Sequence, residues 1–354
     1  MSTPVPPDQP PALASATASP GAPIRYRCRH TTRYSYTVQV VSSQLITHLG
    51  PRDVPGQRAR VVALTVTPTP AVVADRLDWL GNPTRYVAID TPHLELSMTV
   101  DLDVTLTPRP APDLMATPAW EEIAARAPGQ LAVAEFIEAS PRLPQPSPEL
   151  AAFAAASFPA GRPIGAGARD LTRRIHDSFT FDATATSVGT PVLEALALRR
   201  GVCQDFAHVM IGALRALGLP ARYVSGYLRT LPPPGQPRLQ GADASHAWVQ
   251  VWCGPDAGWV DMDPTNDALV DRNHITLAYG RDYDDVCPLR GVILGGDAHA
   301  LHVSVDVEEV ADDPPAIAQA QSQGVDQDWN GAMMQTQTQS CCLTESPYPI
   351  GATD

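Results

Sequence analysis

The sequence predicts an α+β protein: a β-rich N-terminal domain followed by a core that mixes helices and strands. Three observations predict it. Runs of β-branched and aromatic residues, punctuated by turn residues, fill the region from Ile24 to about Pro108. An apolar stripe with helical spacing begins at Cys203. A hairpin pattern then runs from His246 to Asp263.

The N-terminal elements come first. Arg25 to His30 alternates, and Tyr34 to Val38 continues in β-forming residues. Val61–Thr67 and Leu94–Val100 read as further strands. Gly81-Asn82-Pro83 marks a turn between Trp79 and the run Tyr86–Ile89. Before them, residues 1–23 are rich in Pro, Ala and Ser, cannot bury a core, and are expected to be disordered. The β-rich domain is placed at residues 24–110.

Residues 111–168 alternate Ala-rich helical patches, such as Glu121–Arg126 and Leu150–Ala156, with Pro clusters, and form a helical connector. The core is placed at residues 169–310. Leu171, Ile175 and Phe179 recur every fourth residue on its first helix. Pro191 suits the first turn of the next, with Gly201 at its C-terminal cap. A third begins near Cys203, keeps Phe206, Met210, Leu214 and Leu217 on helical spacing, and stops at Gly218 and Pro220. Strands follow at Ala221–Leu228, His246–Trp252 and Trp259–Asp263. Residues 311–354 turn to Asp, Pro, Gln and Ser and are expected to be a disordered tail.

Bulk properties bound the function. The chain has 354 residues and 44% hydrophobic content, enough for two domains with cores of their own. Its formal charge of −13 repels phosphate backbones, so nucleic acid is excluded as a partner. No stretch of about 18 apolar residues exists, so no membrane partner is expected. The N-terminus lacks the basic start and apolar run of a signal peptide. The six cysteines, at 28, 203, 253, 287, 341 and 342, are sparse, with no CxxC pair. A reducing cytoplasm is the simplest compartment.

Chemistry concentrates at three residues. Cys203 opens a helix, where backbone N–H groups and the helix dipole favour a thiolate and can receive an oxyanion. Alone, such a cysteine is as often a small buried hydrophobe. In the hairpin, Gly254 to Gly258 is the turn. With its centre at Gly254 or Pro255, His246 and Asp263 fall nearly opposite, about 5 Å apart at Cβ. Asp261 has the same parity, and distance from the turn favours Asp263. A carboxylate on one imidazole nitrogen leaves the other free to take a thiol proton. Asp205 reads as a helix cap. His208, about 140° round the helix from Cys203, reads as structural. Trp248 shares the face of His246, while Trp252 and Trp259 read as core.

Longer motifs join these pieces. Arg200-Gly201-Val202-Cys203-Gln204-Asp205-Phe206, Gly218-Leu219-Pro220-Ala221-Arg222, Ser245-His246-Ala247-Trp248 and Gly258-Trp259-Val260-Asp261-Met262-Asp263-Pro264-Thr265 resemble the transglutaminase-like superfamily core. His274-Ile275, Gly280-Arg281-Asp282-Tyr283 and Asp285-Val286 resemble its bacterial branch. Arg29 to Tyr36 and Asp78 to Asn82 resemble the β-rich domain which that branch carries before the core. The resemblance spans residues 24 to 310. It implies a papain-like cysteine protease core, with a triad of Cys203, His246 and Asp263.

The expected function is thiol-dependent acyl transfer on a peptide or carboxamide bond, through a thioester. Hydrolysis is favoured because water is always available. Transfer to an amine, as in a protein-glutamine transglutaminase, is the alternative. The partner is a peptide or protein substrate, and neither a cofactor nor a metal is called for. Two rivals stand beside it: a non-catalytic scaffold, which predicts no enhanced Cys203 reactivity, and a zinc site of Cys203, His208 and His246, which predicts bound metal.

Overall fold

The computed structural model describes residues 21–144, 147–230, 244–310 and 342–345. Residues 1–20 and most of the stretch after 310, including Cys341, lie outside the described residues. In chain order, five strands come first: β1 (Ile24–Thr47), β2 (Gln57–Thr67), β3 (Val72–Leu77), β4 (Pro83–Ile89) and β5 (His93–Leu106). Helices α1 (Trp120–Arg126), α2 (Leu131–Ala134), α3 (Pro148–Ala155) and α4 (Ile164–Ser178) follow. Next are β6 (Thr180–Phe181), α5 (Val192–Leu198), β7 (Arg200–Gly201), α6 (Cys203–Arg215) and β8 (Ala221–Leu228). The chain continues with β9 (Ala244–Trp252), β10 (Trp259–Asp263), β11 (Ala268–Leu269), β12 (His274–Gly280) and α7 (Tyr283–Val286). It ends with β13 (Leu289–Gly295), β14 (His299–Val310) and β15 (Cys342–Glu345).

The β-rich domain is organised on one long strand. The sequence reads Arg25–His30 and Tyr34–Val38 as separate pieces, but both belong to β1. Its buried and exposed residues alternate along most of 24 positions, as period-2 patterning requires. A bulge near Val40 divides it. The first part pairs with β5 and β14, the second with β4 and β13. Residues 289–310, within the range the sequence gives to the core, therefore return to the N-terminal sheet through β13 and β14. Alternation identifies a strand but not its partner, so this pairing is invisible in sequence. Within the expected tail, β15 pairs parallel to β13.

The core carries a five-stranded sheet in the order β11-β10-β9-β8-β12. Ala247, Val249 and Val251 of β9 pack into the cluster that holds α6, α4 and α3. The alternate residue Trp248 packs instead with Val224 and Tyr279. Tyr227, Ile275 and Leu277 join the core of the β-rich domain. That domain also covers β12, the edge of the core sheet. The Gln57 amide donates to Thr276 O at 2.8 Å and accepts from Thr276 N at 2.9 Å. The Asn82 amide does the same with Tyr279, at 2.8 and 2.9 Å. Two side chains thus supply the hydrogen bonds that a further strand would make.

One capping expectation is corrected. Helix α5 ends on Arg199 in the left-handed conformation (φ 52°), and Gly201 lies beyond it in β7, paired with Phe181. Gly201 is required for another reason. Its φ is 151°, and a Cβ there would stand 2.3 Å from Asp205 Oδ2. That carboxylate accepts from Val202 N at 2.8 Å and from Thr186 Oγ1 at 2.7 Å, so it caps the start of α6 as expected.

Candidate active site

Cys203 is the first residue of α6 and is 2% exposed. Arg215 ties down the far end of that helix, donating to Ala221 O at 2.9 Å and Arg281 O at 2.7 Å. The loop before α5 is fastened beside the helix start: Gln204 donates to Val188 O at 3.3 Å, and Arg142 donates to the same oxygen.

The hairpin supplies the second half. Trp252 pairs with Trp259 and Val249 with Met262, which centres the turn between Pro255 and Asp256. Continued outward, this register sets Asp263 level with Trp248. His246 lies one side-chain step further along the same face. The contact is therefore diagonal rather than directly across, still within reach of long side chains. His246 Nε2 donates to Asp263 Oδ2 at 2.8 Å. Asp261, of equal parity, is occupied elsewhere: it accepts from Trp248 Nε1 at 2.9 Å and Gln250 Nε2 at 2.8 Å.

The Cys203 side chain lies close enough to the His246 ring to act on its proton. With Nε2 committed to Asp263, Nδ1 is the nitrogen left for the thiol. Burial opposes charge on His246, but the Asp263 carboxylate and the thiol outweigh it and raise the imidazole to about 10. Asp263 is fully buried, which disfavours its charge, yet His246 and His274 hold its carboxyl well below the usual range. Its Oδ1 accepts from Thr265 N at 2.9 Å and Asn266 N at 3.2 Å. Its Oδ2 accepts from Asn266 Nδ2 at 2.7 Å and His274 Nε2 at 3.1 Å, besides His246. Five donors fix one carboxylate in place and in its charged form.

The arrangement holds an imidazole, hydrogen-bonded to an anion, beside a thiol at a helix start. That is the equipment for making a thiolate and for moving its proton. His208 stands apart from it. Its Nε2 accepts from Tyr283 N at 3.2 Å, and burial lowers the ring to about 4. The zinc set read from the sequence is thus not assembled. Among the described residues, those within metal-ligand reach of one another are instead His246, Asp263 and His274, with donor atoms inside 4.8 Å. In this structure both imidazole Nε2 atoms are aimed at the carboxylate oxygen itself, so a cation among them would have to displace ring protons. Sequence reasoning gave His274 and Asn266 no role. Their signal was proximity in sequence to the hairpin and the motif around His274, but no spacing rule folds β12 against the end of β10.

Comparisons with known proteins give the family. Residues 154–264 match the transglutaminase-like superfamily, and residues 26–105 match the bacterial transglutaminase-like N-terminal region. An uncharacterized protein of Mycobacterium tuberculosis is 42% identical over 305 residues, covering 83% of this chain and 96% of its own. The chain belongs to the transglutaminase-like superfamily. An uncharacterized protein of Mycobacterium leprae, 32% identical over 81% of this chain and 99% of its own, is a further relative of this member. A protein-glutamine gamma-glutamyltransferase of Pseudomonas aeruginosa is 34% identical over 105 residues, 29% of this chain and 16% of that protein. Among solved structures, a candidate cysteine protease from Cytophaga hutchinsonii matches with a TM-score of 0.63 at 20% identity, over 82% of this chain and 92% of the other. That likeness shows the fold: a strand-rich N-terminal region on a papain-like, transglutaminase-like core.

Proposed function

We propose that this superfamily member is a thiol-dependent acyl-transfer enzyme that hydrolyses a peptide or carboxamide bond, with Cys203 as nucleophile, His246 as base and Asp263 as the group that orients it. The observation that carries this reading is the buried His246–Asp263 hydrogen bond beside the Cys203 side chain, at the start of α6. His246 takes the thiol proton, giving a thiolate–imidazolium pair. The sulfur attacks the carbonyl carbon and forms a C–S bond, and the Cys203 backbone N–H at the helix start is one donor for the oxyanion. The C–N bond breaks as the imidazolium protonates the leaving amine. Water, deprotonated by His246, then attacks the thioester, and the sulfur departs with the acid released.

A second reading is transfer to an amine in place of water. The partial likeness to a protein-glutamine gamma-glutamyltransferase favours it. One experiment separates the two. The protein and its Cys203→Ala variant are incubated with a glutamine-containing peptide library, with and without a primary amine, and products are read by mass spectrometry. Cleavage or deamidation supports hydrolysis, and amine incorporation supports transfer. Absence of any Cys203-dependent product, together with Cys203 alkylation no faster than that of free cysteine, would sink the enzyme reading in favour of a scaffold.

A further inference from the structure

Asp263 serves two imidazoles, and the catalytic scheme above uses only one. His274, the first residue of β12, has a fully buried side chain. Its Nε2 donates to Asp263 Oδ2 at 3.1 Å, the same oxygen that holds His246 at 2.8 Å. Its other nitrogen, Nδ1, lies 3.2 Å from Asp271 Oδ1 and 3.4 Å from the Asp271 backbone N–H. Trp248 presents its ring edge-on at 5.3 Å, and the His246 ring lies 6.0 Å away. A neutral imidazole has one N–H and could satisfy one of the two carboxylates as donor. The imidazolium has two and satisfies both. A neutral ring would take the Asp271 N–H at Nδ1, but the shorter contact is to the carboxylate, which fits a cation held between Asp263 and Asp271.

We propose that His274 is a positioning residue of the site: it pins Asp263 against His246 and, as a buried imidazolium between Asp263 and Asp271, sets how much of the Asp263 charge reaches His246. The proposal rests on the Cys203–His246–Asp263 reading. The charged and titratable groups around His274 are Asp263 and Asp261 from β10, Asp271 from the turn before β12, and His246 from β9. Burial disfavours charge on His274, but the hydrogen bonds to Asp263 and Asp271 outweigh it and raise its proton affinity. Asp271 is the partly exposed end of the line, with its side chain 46% exposed.

The consequence is a shift of the working pH window. The thiolate–imidazolium pair exists between two limits, loss of the thiol proton below and loss of the His246 proton above. A cation on the far side of Asp263 makes a proton on His246 less favourable and an anionic sulfur more favourable. Both limits then lie at lower pH than they would without it. His274→Gln keeps a donor but cannot carry charge.

The test follows Cys203 alkylation by iodoacetamide across pH in the full chain, a small probe being needed for a thiol 2% exposed. Alkylation reads the thiolate alone, and His274→Gln should move its rise up by about one pH unit. Ring-nitrogen NMR on the labelled protein should show His274 doubly protonated at neutral pH. Asp271→Asn, at a partly exposed site, should lower the pH at which that second proton leaves. These two readouts keep the proposal testable where His274→Gln does not fold. A wild-type Cys203 no faster than free cysteine overturns the triad itself. A fast wild-type Cys203 with an unchanged profile in His274→Gln, or a neutral His274 ring at neutral pH, overturns this proposal alone. So does a wild-type profile that EDTA converts to that of the variant, since a metal cation would then hold the three side chains.

Discussion

At the residue scale, two aspartates of equal parity on one short strand have opposite fates. Asp261 is pushed up by burial, and its donors are the amide of Gln250 and the indole of Trp248. Asp263 collects two imidazoles and is pulled down. The difference predicts different phenotypes. Asp263→Asn should slow Cys203 alkylation at neutral pH by on the order of 100-fold, because the neutral amide no longer stabilises the imidazolium. Asp261→Asn should leave the pH profile of that reaction in place. Linkage gives a second readout on Asp263. His246 is raised from 6.5 to about 10 in the folded protein, so its proton adds stability that is fully present below about pH 6.5. That stability is lost as pH rises towards 10. Urea midpoints should fall across this window in the wild type and stay flatter in Asp263→Asn. Equal slopes in the two proteins would show that Asp263 is not the source of the shift.

At the element scale, the site depends on how strands approach one another. Gly226 of β8 is level with His246 of β9. A Cβ at Gly226 would stand 2.2 Å from Ile275 O and 2.4 Å from Trp248 Cη2. Trp248 can lie over the strand only because that side chain is missing. Gly226→Ala should therefore cost about 1 to 3 kcal/mol in denaturant unfolding and displace Trp248, seen as a change in its fluorescence. An unchanged midpoint and spectrum would mean that the close approach is absent in solution. Elements of this kind were partly legible in sequence. The start of α6 at Cys203 followed from a stop signal and an apolar stripe, and the hairpin from its turn and alternation. The parity of His246, Trp248, Asp261 and Asp263 followed as well. The register did not, because five turn residues allow several centres, and moving the centre by one residue turns an opposed pair into a diagonal one. Gly201 misled in a related way. A glycine after a helix reads as its cap, whereas this one makes room for Asp205, which lies four residues ahead in the chain.

At the scale of the whole molecule, the two sheets cannot be parted by one cut. The sequence suggests an N-terminal domain, a connector and a core in succession, and composition supports that division because each stretch changes texture. The pairing partners of β13 and β14 depend on contacts more than 240 residues apart, such as Val40 with Gly295 and Arg25 with Val310, which composition does not encode. The core leans on the β-rich domain in three ways. Gln57 and Asn82 occupy the free edge of β12. Tyr227, Ile275 and Leu277 bury themselves in the other domain's cluster. His30 hydrogen-bonds the buried Tyr227 hydroxyl at 3.0 Å. β12 also begins with His274, which touches Asp263, so the brace reaches the site through a single strand. A chain trimmed to residues 111–310 should consequently fail to fold as a unit. It would expose three large apolar side chains, leave β12 with an unpaired edge, and strand β13 and β14 without β1. The expected result is loss of a cooperative unfolding transition and of near-ultraviolet circular dichroism, with Cys203 reacting no faster than free cysteine. A trimmed chain that unfolds cooperatively and keeps the fast thiol would show that the core is self-sufficient and that the β-rich domain only covers it.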